Sequence, residues 1–162
     1  MTIEPNWLSV SQVLLIHDAV IAASGGGTGI RDQGLLDSAI SRPQNLFTYE
    51  NPSLAELAAC YAEAIAHNHP FIDGNKRTAF FAAIMFLNEN GWDVAAQTDT
   101  NHEDMMVNLA NHQLSRAEVA AYFEQHSSPL EPVPKLTCKE KVEILQPKRS
   151  ILNLHVSFGT SS

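Results

Sequence analysis

From His69 to Arg77 the chain reads His-Pro-Phe-Ile-Asp-Gly-Asn-Lys-Arg: an imidazole, a carboxylate, an amide and two adjacent cations in one short stretch. His69 is the group here that changes protonation near neutral pH, which suits it to take a proton from a hydroxyl. Asp73 offers a hard oxygen for Mg²⁺, an ion that usually takes one or two carboxylates and completes its shell from phosphates and water. Lys76 and Arg77 stand side by side although residues 1–127 hold only five basic side chains against fifteen acidic ones. A cation pair in so acidic a background implies a local anion, with Arg77 forking onto phosphate oxygens and Lys76 adding a point charge. Base, carboxylate and phosphate cradle together describe phosphoryl or nucleotidyl transfer.

Two helices must position these groups. Gly74-Asn75 reads as a tight turn, and Thr78 to Leu87 as the helix it opens, capped by Asn90-Gly91. The unpaired N–H groups of that first turn would then face the anion. Its apolar face of Phe80, Phe81, Ile84, Met85 and Leu87 predicts a central buried helix. Upstream, Ser53-x-x-Glu56 is a capping box, and Leu54, Leu57, Ala58, Tyr61 and Ile65 follow helical spacing to about Asn68. That helix delivers His69. His67 lies close by, but no third ligand accompanies the two histidines, so a metal pair is not expected.

The remaining elements follow the same signals. Ser9-x-x-Gln12 opens a helix over about 10–23 that carries His17-Asp18, expected as a buried polar pair. The run Gly25-Gly26-Gly27-Thr28-Gly29 lacks both the Lys-Ser/Thr of a phosphate loop and a preceding strand, and is read as a turn. Asp32 caps a short helix that Pro43 is expected to end, leaving 44–52 as a loop. Trp92–Val94 is a short extended piece, and Thr100-x-x-Glu103 and Ser115-x-x-Glu118 cap two further helices. Residues 1–127 therefore predict one all-α domain. Residues 128–162 change character, with Pro129, Pro132 and Pro134, a net charge of +2, and an alternation of Leu152, Leu154, Val156 and Phe158 that predicts a short strand in an irregular tail.

Composition bounds the function. A net charge of −8 argues against direct nucleic-acid binding and against a membrane-surface role. The longest apolar run, Ala79–Leu87, is nine residues, far short of the ~20 of a membrane span. No leader pattern is visible, and Cys60 and Cys138 make no disulfide framework, so a cytoplasmic location is expected.

The stretch His69, Phe71, Asp73, Gly74, Asn75, Lys76, Arg77 resembles the motif of the Fic/Doc family, written roughly H-x-F-x-D/E-G/A-N-G/K-R. Pro70 is the usual companion in the Fic branch, whereas Lys76 replaces the glycine of most Fic AMP-transferases and is similar to the Doc (death-on-curing) branch. The flanks Leu15-Ile16-His17-Asp18-Ala19, Gly25-Gly26, Gly29-Ile30-Arg31-Asp32, Ala39-Ile40 and Tyr49-Glu50 also look like that branch. The resemblance, over roughly 9–126, implies a compact helical bundle with a central motif-bearing helix. It further implies a kinase-like transferase with Mg²⁺ and ATP or another nucleoside triphosphate as co-substrate. His69 would be the base, Asp73 the metal ligand, and Gly74, Asn75, Lys76 and Arg77 the phosphate-binding residues. Its implied context is a type II toxin-antitoxin system in which the toxin phosphorylates a threonine of elongation factor Tu and halts translation. AMP transfer is the alternative chemistry, and a catalytically silent binding module the alternative class.

Two further expectations come from the family. A flap that aligns the target would fall at about Leu46–Asn51, with Phe47 and Tyr49 as docking side chains, although the same aromatics could anchor the core. The inhibitory Ser/Thr-x-x-x-Glu-Gly/Asn helix of Fic regulators finds its nearest counterpart at Ser127–Pro132, where Pro129 and Pro132 preclude it. Inhibition by a cognate antitoxin in trans is the resulting expectation.

Overall fold

A computed structural model describes residues 3–95 and 101–130. Six helices and a two-stranded antiparallel sheet follow one another as α1 (Val10–Ser24), α2 (Gln33–Tyr49), α3 (Leu54–Asn68), α4 (Asn75–Glu89), β1 (Trp92–Val94), α5 (Asn101–Ala110), α6 (Arg116–His126) and β2 (Ser127–Pro129). The capping boxes act as expected at α1, α3 and α6. Ser9, Ser53 and Ser115 each accept the N–H three residues on, and the side chains of Gln12, Glu56 and Glu118 reach back to the cap N–H. The Thr100 cap expected for α5 lies outside the described residues, as does the strand expected at 152–158.

α3 packs against α2, α4 and α6, and its alanines make that possible. Ala58, Ala59, Ala62 and Ala64 are fully buried, so neighbouring backbones approach without intervening side chains. Tyr61, Ile65, Phe71, Phe86 and Phe123 fill the spaces between helices, each contributing about 1.5–3 kcal/mol by burial. The Tyr61 hydroxyl is satisfied by the Leu8 N–H at 3.1 Å. α4 packs on α3, α1, α5 and β1, yet Phe81 on its outer side is 47% exposed.

Two sequence expectations are corrected here. Pro43 does not end α2, which continues to Tyr49 with the proline inside it. Proline removes one i→i−4 hydrogen bond, but Leu36, Ala39, Ile40 and Pro43 form one buried stripe that Leu46 and Phe47 extend at helical spacing. Burial of that stripe outweighs the broken bond. Ser128 and Pro129, expected in an extended linker, likewise belong to a paired strand. Ser127–Pro129 pairs with β1, Trp92 opposite Pro129 and Val94 opposite Ser127. The Ala95 N–H to His126 C=O and Leu130 N–H to Gly91 C=O bonds, both 2.8 Å, close the sheet at its two ends. So small a sheet is marginal alone, and buried Val94 ties it to the core. No helix among the described residues is long and apolar enough to cross a membrane.

Candidate active site

The end of α3 and the start of α4 are joined by a six-residue connection, 69–74, that carries the motif. His69 caps α3 in the left-handed conformation, φ 53° and ψ 52°, which is uncommon for a residue with a side chain. Arg31 sits against this end. Its Nε donates to the His69 carbonyl at 2.7 Å and its Nη2 to the Asn68 carbonyl at 2.9 Å. A cation thus completes the last carbonyls of α3, where the helix dipole is negative. The backbone next to Arg31 adds to this: the Arg31 and Asp32 N–H groups donate to Pro70 C=O at 2.7 and 3.1 Å, and Ile72 N–H donates to Gly29 C=O at 3.2 Å.

Phe71 is fully buried, its ring stacked on His17 at 3.9 Å with 7° between the planes. His17 is itself 3% exposed, and its Nε2 donates to the Asp73 carbonyl at 2.9 Å. His17 is therefore buried and hydrogen-bonded as expected, but it pins α1 to the connection. Asp18 instead lies exposed on the outer side of α1, because adjacent helical residues point about 100° apart.

Asn75 ties the connection to itself. Its Oδ1 accepts from the Phe71 N–H at 2.9 Å, and its Nδ2 donates to the Phe71 carbonyl at 3.0 Å. The backbone N–H thereby fixes which way the amide faces. The same Nδ2 lies 2.7 Å from His69 Nδ1, so Nδ1 is the acceptor and a neutral ring carries its proton on Nε2. His69 is exposed, and Nε2 is the nitrogen left to meet a substrate. Asn75, 3% exposed, was expected to bind phosphate. Its side chain is occupied in the connection, which leaves its backbone N–H as the group available to an anion.

α4 opens on Gly74 at φ 75° with no side-chain cap, whereas α1, α2, α3 and α6 are capped by Ser9, Asp32, Ser53 and Ser115. The first-turn donors of α4 are thus free of side-chain acceptors, the condition for an anion site. A Cβ at Gly74 would lie 3.1 Å from Ile21 Cδ1. Lys76 and Arg77 are exposed at this end and line a cavity of about 310 Å³ with Phe80, Phe81, His102 and Met106.

Asp73 is exposed, yet its carboxylate is oriented. Oδ1 accepts from the Gly74 N–H at 2.8 Å and Oδ2 from the Gly27 N–H at 3.2 Å. These bonds, aided by Lys76 and Arg77, hold its carboxyl below the usual carboxylate range. A single ionised carboxylate fits Mg²⁺ carried on a nucleotide. The described residues hold no cluster of three or more His, Cys, Asp or Glu, so the rest of the shell would come from phosphate and water.

The structure thus brings His69, Asp73, Gly74, Asn75, Lys76 and Arg77 together. Phe47 lies elsewhere. Its ring meets Trp7 edge-on at 5.5 Å, and Trp7 stacks on Phe86, three turns along α4 from the motif. Tyr49 is 86% exposed at the end of α2. The expected flap is helical over 46–49, for the reason given for Pro43. Three contributors escaped the sequence reading of the site: Arg31, His17 as a support for the connection, and the glycine run against Asp73. Their signal was present only as flanking positions of the motif's family.

Comparison with known proteins agrees with this geometry. The model of the Fic/DOC family matches residues 7–87. The chain is similar to a protein named Toxin Doc from Mycolicibacterium smegmatis, 41% identical over 104 residues, covering 61% of this chain and 78% of the relative. It is also similar to one named Protein kinase doc from Escherichia phage P1, 36% identical over 114 residues, covering 70% of this chain and 89% of the relative. Motif, fold and similarity agree, and the chain belongs to the Fic/DOC family.

Proposed function

We propose that this protein is a Doc-type toxin that transfers the γ-phosphoryl group of ATP, or of another nucleoside triphosphate, to a protein hydroxyl. A threonine of elongation factor Tu is the target. The observation that carries the reading is the junction of α3 and α4. The uncapped first turn of α4 and the His69 imidazole are joined through one side chain, Asn75, at 2.7 Å. A base and an anion site so placed address a hydroxyl and a phosphate at once. The names of the relatives, one a toxin and one a protein kinase, support the same reading.

In this scheme the hydroxyl oxygen bonds to the γ-phosphorus, the β–γ bridging bond breaks, and a nucleoside diphosphate leaves. His69 receives the hydroxyl proton at Nε2. For that the ring must carry its other proton on Nδ1 and turn away from Asn75 Nδ2, which keeps its bond to the Phe71 carbonyl. Lys76, Arg77 and the first N–H groups of α4 hold the phosphate oxygens. Mg²⁺ held by Asp73 would neutralise charge on those oxygens.

Regulation in trans by an antitoxin accompanies this function. Ser127–Pro129, where an inhibitory helix would begin, is a β-strand, which supports that reading. The test is induced expression in a bacterial host. Growth and protein synthesis should stop with the wild-type chain and continue with His69→Ala. Unimpeded growth with stable wild-type protein would contradict the toxin assignment.

A further inference from the structure

We infer that Gly26 and Gly27 form a positioning loop for the Asp73 carboxylate, so that the glycine run sets the protein's affinity for the metal ion of its metal–nucleotide substrate. The inference rests on Asp73 as metal ligand and goes beyond it, since it assigns a role to residues remote from the motif in sequence. As a turn alone, the run needs glycine where φ is positive, as at Gly25, Gly26 and Gly29. Gly26 is distinguished by what faces it. At φ +119°, a Cβ there would lie 2.4 Å from Asp73 Oδ2 and 3.0 Å from Asp73 Cγ. Gly27 donates its N–H to that same Oδ2 at 3.2 Å. The loop touches the carboxylate with backbone alone, and a methyl group would occupy the place of an oxygen.

On the Asp73 side, the carboxylate and not the backbone would have to yield. The Asp73 carbonyl is held by His17 Nε2 at 2.9 Å, and the following Gly74 is closely packed against Ile21 and Val20. Rotating the carboxylate breaks its bonds to Gly27 and Gly74 and re-aims the oxygens offered to a cation. Loss of an outer partner of a metal ligand typically weakens metal binding about 10–100-fold. Gly25 supplies an internal control. Its φ of +76° also disfavours a side chain, but nothing lies within 4 Å of a Cβ placed there.

The experiment is Mn²⁺ binding to the full-length protein with a non-hydrolysable ATP analogue, read by water-proton relaxation, for wild type, Gly25→Ala, Gly26→Ala and Asp73→Asn. Gly26→Ala should raise the half-saturating Mn²⁺ concentration about tenfold or more, while Gly25→Ala stays within about twofold of wild type. In the transfer assay Gly26→Ala should regain most of its rate at high Mg²⁺, a split that general misfolding would not produce. If Gly26→Ala does not fold, Gly27→Ala gives a milder push on the same element, its Cβ meeting Ile72 Cγ2 at 3.0 Å and Asp73 Cβ at 3.8 Å. Loss of binding in Asp73→Asn with wild-type binding in Gly26→Ala would overturn the loop's role alone. Wild-type binding in Asp73→Asn would overturn the metal-ligand reading and this inference with it.

Discussion

The two halves of the motif connection are built in opposite ways. On the inner side, Phe71 and Asn75 are buried and His69 is tied to them by an amide whose orientation a backbone N–H dictates. On the outer side, Ile72 and Asp73 are exposed, and the carboxylate is held by the N–H groups of two glycines. The base thus depends on packing, whereas the carboxylate depends on a gap in packing that only glycine leaves. A base needs a defined place beside the hydroxyl it deprotonates. A carboxylate that takes a metal from solvent with its nucleotide needs open lone pairs. One short connection meets both needs by keeping one face in the core and the other in water.

Loss of the base should cost the most. His69→Ala should lower transfer by about 10²–10⁴-fold while the melting temperature stays near wild type, because the ring is exposed; a retained rate would remove His69 as base. Asn75→Ala strikes the inner half's support. It leaves the Phe71 N–H and carbonyl without partners in a buried place, and should destabilise the fold by about 2–4 kcal/mol in urea unfolding. Asp73→Asn, on the outer half, should leave stability near wild type. Equal losses in the two variants would erase the distinction between the halves. Arg31→Ala falls between the two, about 1 kcal/mol, since its bonds to the last carbonyls of α3 are solvent-exposed.

The pH dependence sharpens the same contrast. Burial pushes the Tyr61 phenol up to about 12 and the Cys60 thiol up to about 11, from ordinary values of 10.0 and 9.0. Both groups are neutral when protonated, so their contribution to stability is fully present below pH 9 and is lost as pH rises towards 11 and 12. Melting temperature should therefore fall on the alkaline side, and Cys60 should resist alkylation in the native state. Asp73 has the opposite sign. Its lowered value makes its small contribution present above the ordinary carboxylate range and lost as pH falls from there through the lowered value.

Local signals in the sequence were enough for the helices and for the motif, since a capping box or a run of small residues acts within a turn or two of itself. Ser9, Ser53 and Ser115 cap as their spacing predicts, and Trp92–Val94 is extended as expected. What failed was any decision taken by distant packing. Pro43 reads locally as a stop, but the stripe it shares with Ile40 and Phe47 carries the helix onward. Phe47 reads as either a docking aromatic or a core anchor, and its partner Trp7, forty residues away, is not legible locally. Ser127–Pro129 has no strand pattern and is extended because β1 offers it partners. Within the site, Asn75 was legible as a polar motif residue, but its commitment to Phe71 and His69 was not. The glycine run read only as a turn, because Asp73, the group it touches, lies more than forty positions on.

Phosphoryl transfer at the α3–α4 junction leaves its mark in the intact mass of the target. Purified protein, Mg²⁺, ATP and elongation factor Tu should yield elongation factor Tu heavier by about 80 Da, one phosphoryl group, with no change when His69→Ala replaces the wild type. A gain of about 329 Da, one adenylyl group, would replace the kinase by an AMP-transferase using the same base and cradle. An unchanged mass with both proteins, in elongation factor Tu and across a bacterial lysate, would contradict the claim and leave a binding module.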